Sequence, residues 1–339
     1  MPPGSPRPAM VGDAMKAWVV GVLVVGAAVT VAAQPRTAFP EKRGFKLTDF
    51  PRVVPLAENV YGYEEIRQPG FTTVSLIVVG RDGVLVADGQ GSPQATQTML
   101  HHIATITPKP LRWYVVGSDH GDHTAGNSVL PLGVTHIVHP TSRAQMERDA
   151  ATAMGANLKA AAEALSAGKP PPTPRPPVIV PAAAMSGDRQ VIDLGGIEVQ
   201  VLFLGRAHTG GDLHVLLPTQ RILFMSEAFL NRVFPAMRSA YPTEWVAAID
   251  KALALPVDRF VPGHGFIEAP KASREELVTF QGALKAVIAE TRRLHDLGLR
   301  AEVAVKQAHW GPYGEWFLAE QQAPIAVNKI YEEIEGTLK

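Results

Sequence analysis

The segment VVGSDHGDHTAGN at positions 115–127 runs an apolar stretch directly into His120, Asp122 and His123, on a loop broken by Gly117 and Gly121. Imidazole nitrogens and a carboxylate oxygen that leave one strand end together can converge on a single point, which is what a metal cation requires of its ligands. A polar loop with solvated histidines is the plainer alternative, but such a density of donors at a strand terminus favours a metal. The 339 residues include no cysteine, which excludes disulfides, thiolate ligands and a cysteine nucleophile. Any metal must therefore be held by nitrogen and oxygen.

The elements that must position this loop are legible from Val53 onward. Residues 73–80 and 84–89 are near-continuous apolar runs joined at Arg81, Asp82 and Gly83, the pattern of a hairpin of buried strands. Ser92 and Pro93 open a helix with Met99, Leu100 and Ile103 on one face, ending near Pro108. Strands follow at 111–117 and 134–140, then an alanine-rich helix over 141–168 and a proline-rich connector at 169–181. The second half repeats the first in kind. It has a hairpin about Gly195 and Gly196, strands in DLHVLLP and RILFMSE, a capped helix from Thr243 carrying Trp245, Ile249 and Leu253, and a closing strand in DRFVPGHG. A long helix from about Ser273, with Glu276 completing a capping box, and a short one over 324–336 finish the chain. Two strand-rich halves with their own helices predict an α/β fold in which two sheets pack face to face under outer helices, a four-layer αββα sandwich.

Lys and Arg total 32 and Asp and Glu total 32, so a formal charge of zero offers no footprint for nucleic acid or an anionic membrane. The expected partner is a small molecule. Met15 and Lys16 precede the apolar run AWVVGVLVVGAAVTVAA at 17–33, which exits through Val31, Ala32 and Ala33. That is the build of an export signal over residues 1–33, with Met15 as an alternative start. A retained anchor is the competing reading, but the single lysine and the small exit residues favour cleavage. The expected mature chain begins near Gln34 in the periplasm or medium, with no stable membrane span, an N-terminal extension at 34–52 and an open oligomeric state.

GSDHGDHTAGN resembles the His-x-His-x-Asp-His loop of the metallo-β-lactamase superfamily, with its following small residue, glycine and asparagine. Further matching pieces come in order: VADG with Asp88, GRAHTGGD with His208, LFMSEA with Glu227 and FVPGHG with His264. The ordered set is far more specific than any one piece, and it marks 53–268 as the domain, with a helical extension at 269–339 packed on it. The resemblance implies one metal site served by Ser118, His120 and His208 and another by Asp122, His123 and His264, with Glu227 between them. Two positions depart from the family: Ser118 stands in place of the first histidine, and Glu227 in place of the bridging aspartate. A serine hydroxyl is a poor ligand beside imidazole, so Ser118 is a weak ligand or none. Glu227 has the reach to compensate, and one metal or two are both compatible with the pattern. Zinc is the expected metal, with manganese and iron as alternatives.

The activity implied is hydrolysis of an ester, lactam, lactone, thioester or sulfate ester by a metal-bound hydroxide that Asp122 holds and orients. β-Lactam cleavage is possible on this scaffold but disfavoured by Ser118 and Glu227. The alternative is a catalytically weak module that keeps its metal to bind a ligand. Asp88 would support the ligand loop from behind or simply cap a turn. Asp119 reads as a solvated loop residue. Asn231, Arg232, Arg238 and Tyr241 follow Glu227 in an apolar and aromatic stretch and would border a substrate pocket. Trp310, Tyr313 and Trp316 read as packing residues. His101, His102, His136, His139, His214, His295 and His309 show no convergent spacing.

Overall fold

The structure, a computed structural model, describes residues 1, 4, 35–67 and 70–338. The apolar run at 17–33, on which export was read, lies outside the described residues. From Pro35 onward the chain forms one compact unit. No helix among the described residues is long and apolar enough to cross a membrane.

Strands β1 (Arg52–Ala57), β2 (Val60–Arg67), β3 (Phe71–Val79) and β4 (Val84–Ala87) pair antiparallel in sequence order. After helix α1 (Pro93–Ile106), strands β5 (Leu111–Val115) and β6 (Thr135–Ile137) add in parallel and complete a six-stranded sheet. A one-turn helix α2 (Gly121–Thr124) lies between β5 and β6, and the long α3 (Pro140–Ser166) follows. The second sheet has five strands, each hydrogen-bonded to its neighbours in sequence order. These are β7 (Arg189–Asp193), β8 (Glu198–Phe203), β9 (Leu213–Leu217), β10 (Ile222–Phe224) and, after α4 (Pro242–Ala254), β11 (Arg259–Val261). Helices α5 (Pro270–Asp296), α6 (Ala301–Gln307) and α7 (Ala319–Ile334) end the chain.

Side-chain parity along the strands sets the layers. Val74, Leu76, Val78, Leu85 and Ala87 meet Val199, Val201, Val215 and Phe224 in a core between the sheets. The alternate residues Ile77, Val79, Val84 and Val86 meet Met99, Ile103 and Met146 of α1 and α3 on the outer side. On the far side, Leu202, Leu216, Leu223 and Phe260 pack against Trp245, Ile249, Leu277, Phe280 and Ile330 of α4, α5 and α7. The result is the four-layer αββα sandwich. Trp245 ties packing to the site: it is fully buried, which is worth about 2–3 kcal/mol for a large apolar side chain. Its indole N–H donates to the carbonyl of Ala228 at 2.9 Å, immediately after Glu227.

Three helix starts differ from those read in the sequence. Helix α4 begins at Pro242 with no side-chain cap, because Thr243 gives its N–H and hydroxyl to Glu333 of α7 at 2.9 and 2.6 Å. Helix α5 begins at Pro270, whose fixed φ suits the first turn. Ser273 lies within that helix, donating to the carbonyl of Pro270 at 2.7 Å and accepting the N–H of Phe260 at 3.0 Å, and Glu276 is a buried ion-pair partner rather than a capping residue. Helix α7 begins at Ala319 with Pro324 inside it. Burial of Ala323, Ala326 and Ile330 outweighs the one backbone hydrogen bond that proline removes.

Candidate metal centre

Loops at the C-terminal ends of β5, β10 and β11, with the β8–β9 loop, bring the donors together. After β5 the chain turns at Gly117, where a Cβ would lie 2.7 Å from Ser226 and 2.8 Å from Asp88, so only glycine lets these loops approach. His120 stands at the start of α2, whose single turn projects Asp122 and His123 toward the same point. His208 is set by a turn in which Asp212 accepts the N–H and hydroxyl of Thr209 at 2.7 and 2.8 Å. Glu227 occupies a 3-10 turn after β10. The approach that seats His264 beside it also needs glycine, since a Cβ on Gly263 would lie 2.4 Å from the backbone of Ser226.

Two clusters of donors result, Asp122, His123, Glu227 and His264 in one and His120, His208 and Glu227 in the other, the donor atoms of each lying within 4.8 Å of one another. Glu227 belongs to both. Its Oε1 is 3.1 Å from Nε2 of His208 and 3.1 Å from Nε2 of His264, and its Oε2 is 2.9 Å from Nδ1 of His120. Asp122 Oδ2 lies 3.0 Å from His264 Nε2 and is also engaged by Arg67. Ser118 stands beside the second of these clusters, its hydroxyl donating to Glu227 Oε2 at 2.6 Å.

The residues behind the donors fix which nitrogens face inward. Nδ1 of His264 meets the carbonyl of Thr72 at 2.8 Å, leaving Nε2 for the centre. Asp88 is fully buried. Its Oδ2 lies 3.0 Å from His123 Nδ1 and accepts the Ser226 hydroxyl at 2.5 Å, while Oδ1 accepts the N–H of Gly117 at 2.7 Å. Nε2 of His120 reaches the Ser239 hydroxyl at 3.0 Å.

The donor set fits a divalent cation. Burial opposes charge on His120 and His264, yet the Glu227 and Asp122 carboxylates outweigh it and hold both imidazoles up to about 9. Against the same burial, the histidines hold Asp122 and Glu227 below the usual carboxylate range. Ionised carboxylates therefore face rings whose nitrogens approach one another, His208 Nε2 to His120 Nδ1 at 3.1 Å and His123 Nε2 to His264 Nε2 at 3.3 Å. A cation held between the carboxylates and these nitrogens would take the place of the protons that otherwise link them.

A cleft of about 280 Å³ opens on the centre and is lined by Arg67, Phe71, Leu230, Val233, Arg238 and Ile325 as well as the donors. Of the residues expected to border it, Arg238 does. Asn231 turns away, its amide donating to the carbonyl of Phe266 at 2.7 Å. Arg232 also turns away to pair with buried Glu276, because an unpaired carboxylate there would be costly. Tyr241 lines a neighbouring polar cavity that shares His120 and Arg238 with the cleft, its ring stacked under Arg206 at 4.0 Å. Asp119 is only 6% exposed and faces that same cavity, which corrects its reading as a solvated residue, and burial raises its pKa. Trp310 packs on Phe234, and Tyr313 on Trp316. Arg67, Ser226 and Ser239 were not singled out by sequence; each contributes through a long-range contact that no local motif announces.

A sequence profile of the metallo-β-lactamase superfamily matches residues 67–264. The 2,4-dinitroanisole O-demethylase subunit alpha of Nocardioides sp. (strain JS1661) is 24% identical over 193 residues, covering 56% of this chain and 52% of that one. The chain thus spans about half the length of that relative. Among solved structures, a stereoselective inverting sec-alkylsulfatase from Pseudomonas sp. superposes with a TM-score of 0.65 at 13% identity, over 86% of this chain and 51% of its own. A metallo-β-lactamase from Pontibacter korlensis superposes with a TM-score of 0.54 at 20% identity, over 68% of this chain and 98% of its own. At these identities the structural likeness is one of fold.

Proposed function

We propose, on the premise that this chain belongs to the metallo-β-lactamase superfamily, that it is a metal-dependent hydrolase of small molecules. The observation that carries the reading is the sharing of the Glu227 carboxylate between a four-donor and a three-donor cluster at the floor of one cleft. A divalent cation bound there, zinc by its preference for nitrogen and oxygen in a tetrahedral set, supplies a Lewis acid and a water of lowered pKa.

The chain's own residues supply the rest. The Thr72 carbonyl holds His264 and the Asp88 carboxylate stands 3.0 Å from Nδ1 of His123, so the donor geometry is set before substrate arrives. Asp122, at the cleft wall, orients the attacking water through its carboxylate. Phe71, Leu230, Val233 and Ile325 hold the apolar body of a substrate and exclude bulk water. Arg67 and Arg238 meet negative charge on the substrate or building on its oxygen. This lining suits an ester, lactone, thioester, lactam or sulfate ester bearing an apolar group. The composition of residues 15–35 supports a site of action outside the cytoplasm.

The test is turnover of a panel containing aryl esters, a lactone, a thioester, a lactam, a secondary alkyl sulfate and an aryl methyl ether. Hydrolysis that is lost on chelation and restored by zinc supports the reading. Turnover that persists in the chelator, or none across the panel with metal bound, overturns it.

A further inference from the structure

We propose that Ser118 is the positioning residue that holds the shared Glu227 carboxylate for the three-donor half of the centre, and that this half is the second to fill. The inference rests on the metal-dependent reading above and adds an order of loading to it.

Ser118 is fully buried, and its hydroxyl has a defined role: it accepts the N–H of His120 at 3.3 Å and donates to Oε2 of Glu227 at 2.6 Å. The same Oε2 faces His120 Nδ1 at 2.9 Å. Oε1 faces His208 and His264 at 3.1 Å each, and His123 at 3.8 Å. One carboxylate oxygen is thus committed to the Ser118 and His120 side, and the other looks into both halves.

A glutamate has one more rotatable bond than an aspartate, so its carboxylate needs an external constraint to keep one orientation. The serine hydroxyl is that constraint. A neutral hydroxyl is a poor ligand beside imidazole, so Ser118 acts through the hydrogen bond it gives and not as a donor to the cation.

The two halves differ in what they offer. The four-donor half has two imidazoles, the private carboxylate of Asp122 and a share of Glu227; the three-donor half has two imidazoles and the share alone. Four donors complete a tetrahedral shell and three leave it open, and the half with more negative charge attracts a divalent cation more strongly. Loading therefore begins at Asp122, His123 and His264. Without the Ser118 hydroxyl, Glu227 can turn both oxygens toward that half, and the three-donor half loses its one carboxylate.

The experiment titrates chelator-stripped protein with Zn(II) by calorimetry and with Co(II) by visible absorption, for the native chain and for Ser118→Ala. The native protein is expected to take up two equivalents in resolved steps. In S118A the second equivalent weakens by about tenfold or more, the scale of one hydrogen bond to a charged group, and only its absorption bands change. An unchanged first equivalent and far-UV spectrum show that the fold is intact. Equal weakening of both equivalents, or no change in either, overturns the role of Ser118. A single equivalent in the native protein overturns the order of loading but leaves metal-dependent hydrolysis standing, whereas no uptake of either metal overturns both.

Discussion

Replacing Asp88 by asparagine removes one negative charge from behind the centre while keeping shape, and its cost follows from four contacts. Asp88 sits at φ 61, a left-handed conformation that asparagine tolerates about as well as aspartate, so backbone strain does not enter. The amide oxygen can still accept the N–H of Gly117, now at 2.7 Å from Oδ1, and the weaker one of Ser118 at 3.4 Å. The amide NH2 replaces Oδ2, which faces the Ser226 hydroxyl at 2.5 Å and His123 Nδ1 at 3.0 Å. Ser226 can turn its hydroxyl to accept. His123 can pair with the new donor only by moving its proton to Nε2, the nitrogen that faces the centre. Asp88→Asn is therefore expected to lower metal affinity by about 10- to 100-fold, the usual cost of losing a partner that orients a ligating histidine. It should also lower the stability of the metal-free protein by about 1–2 kcal/mol for the lost charge pairing with His123. Competition against a chromophoric chelator reads the first quantity and urea unfolding the second. Native affinity in D88N would refute the claim that Asp88 sets the tautomer of His123.

Arg238→Ala should raise KM for anionic substrates by about tenfold, the loss of one charge-assisted contact, with stability unchanged, because Arg238 lines the cleft and is exposed; steady-state kinetics against matched neutral substrates checks this. Arg232→Ala should do the reverse. It leaves Glu276, 1% exposed, with Arg36 alone, and should cost about 2–3 kcal/mol in urea unfolding with KM unaltered. Burial pushes the Glu64 carboxyl up to about 7 despite the N–H of Ile267 and nearby Arg52. Its neutral form is the one the fold tolerates, so the contribution to stability is complete below the unfolded value near 4.5 and is lost as pH rises through 7. Glu64→Gln should gain up to about 3 kcal/mol over the native metal-free protein at pH 8 and little at pH 4, as measured by denaturant unfolding at each pH.

The layers of this fold were legible because their cause is local. Short β-branched and apolar runs such as 73–80 and 84–89, joined by a tight turn, read as strands covered on both faces, and the hairpin at Gly83 joins them as expected. The donors His120, Asp122 and His123 were legible because one strand end carries them all, and His208, Glu227 and His264 because their surrounding pieces resemble a family's. What escaped is what long-range pairing decides. Arg232 follows Glu227 closely in sequence but is drawn outward by Glu276 on α5. Asp119, in the ligand loop, is buried where its side chain meets Ser142 of α3, a partner that no neighbour in sequence signals. Thr243 and Glu276 carry the residue types of helix caps, yet Glu333 of α7 claims the first and Arg232, in the loop after β10, claims the second.

The central claim is that a cation belongs between the Glu227 carboxylate and the four histidines and Asp122 around it. An anomalous difference map from crystals of the protein as purified, collected across the zinc edge, tests this most directly. A peak among Asp122, His123, Glu227 and His264, with an equal or weaker one beside His120 and His208, is the expected result. Fully ordered side chains in this arrangement with no anomalous peak, or a metal bound only elsewhere, would contradict the account.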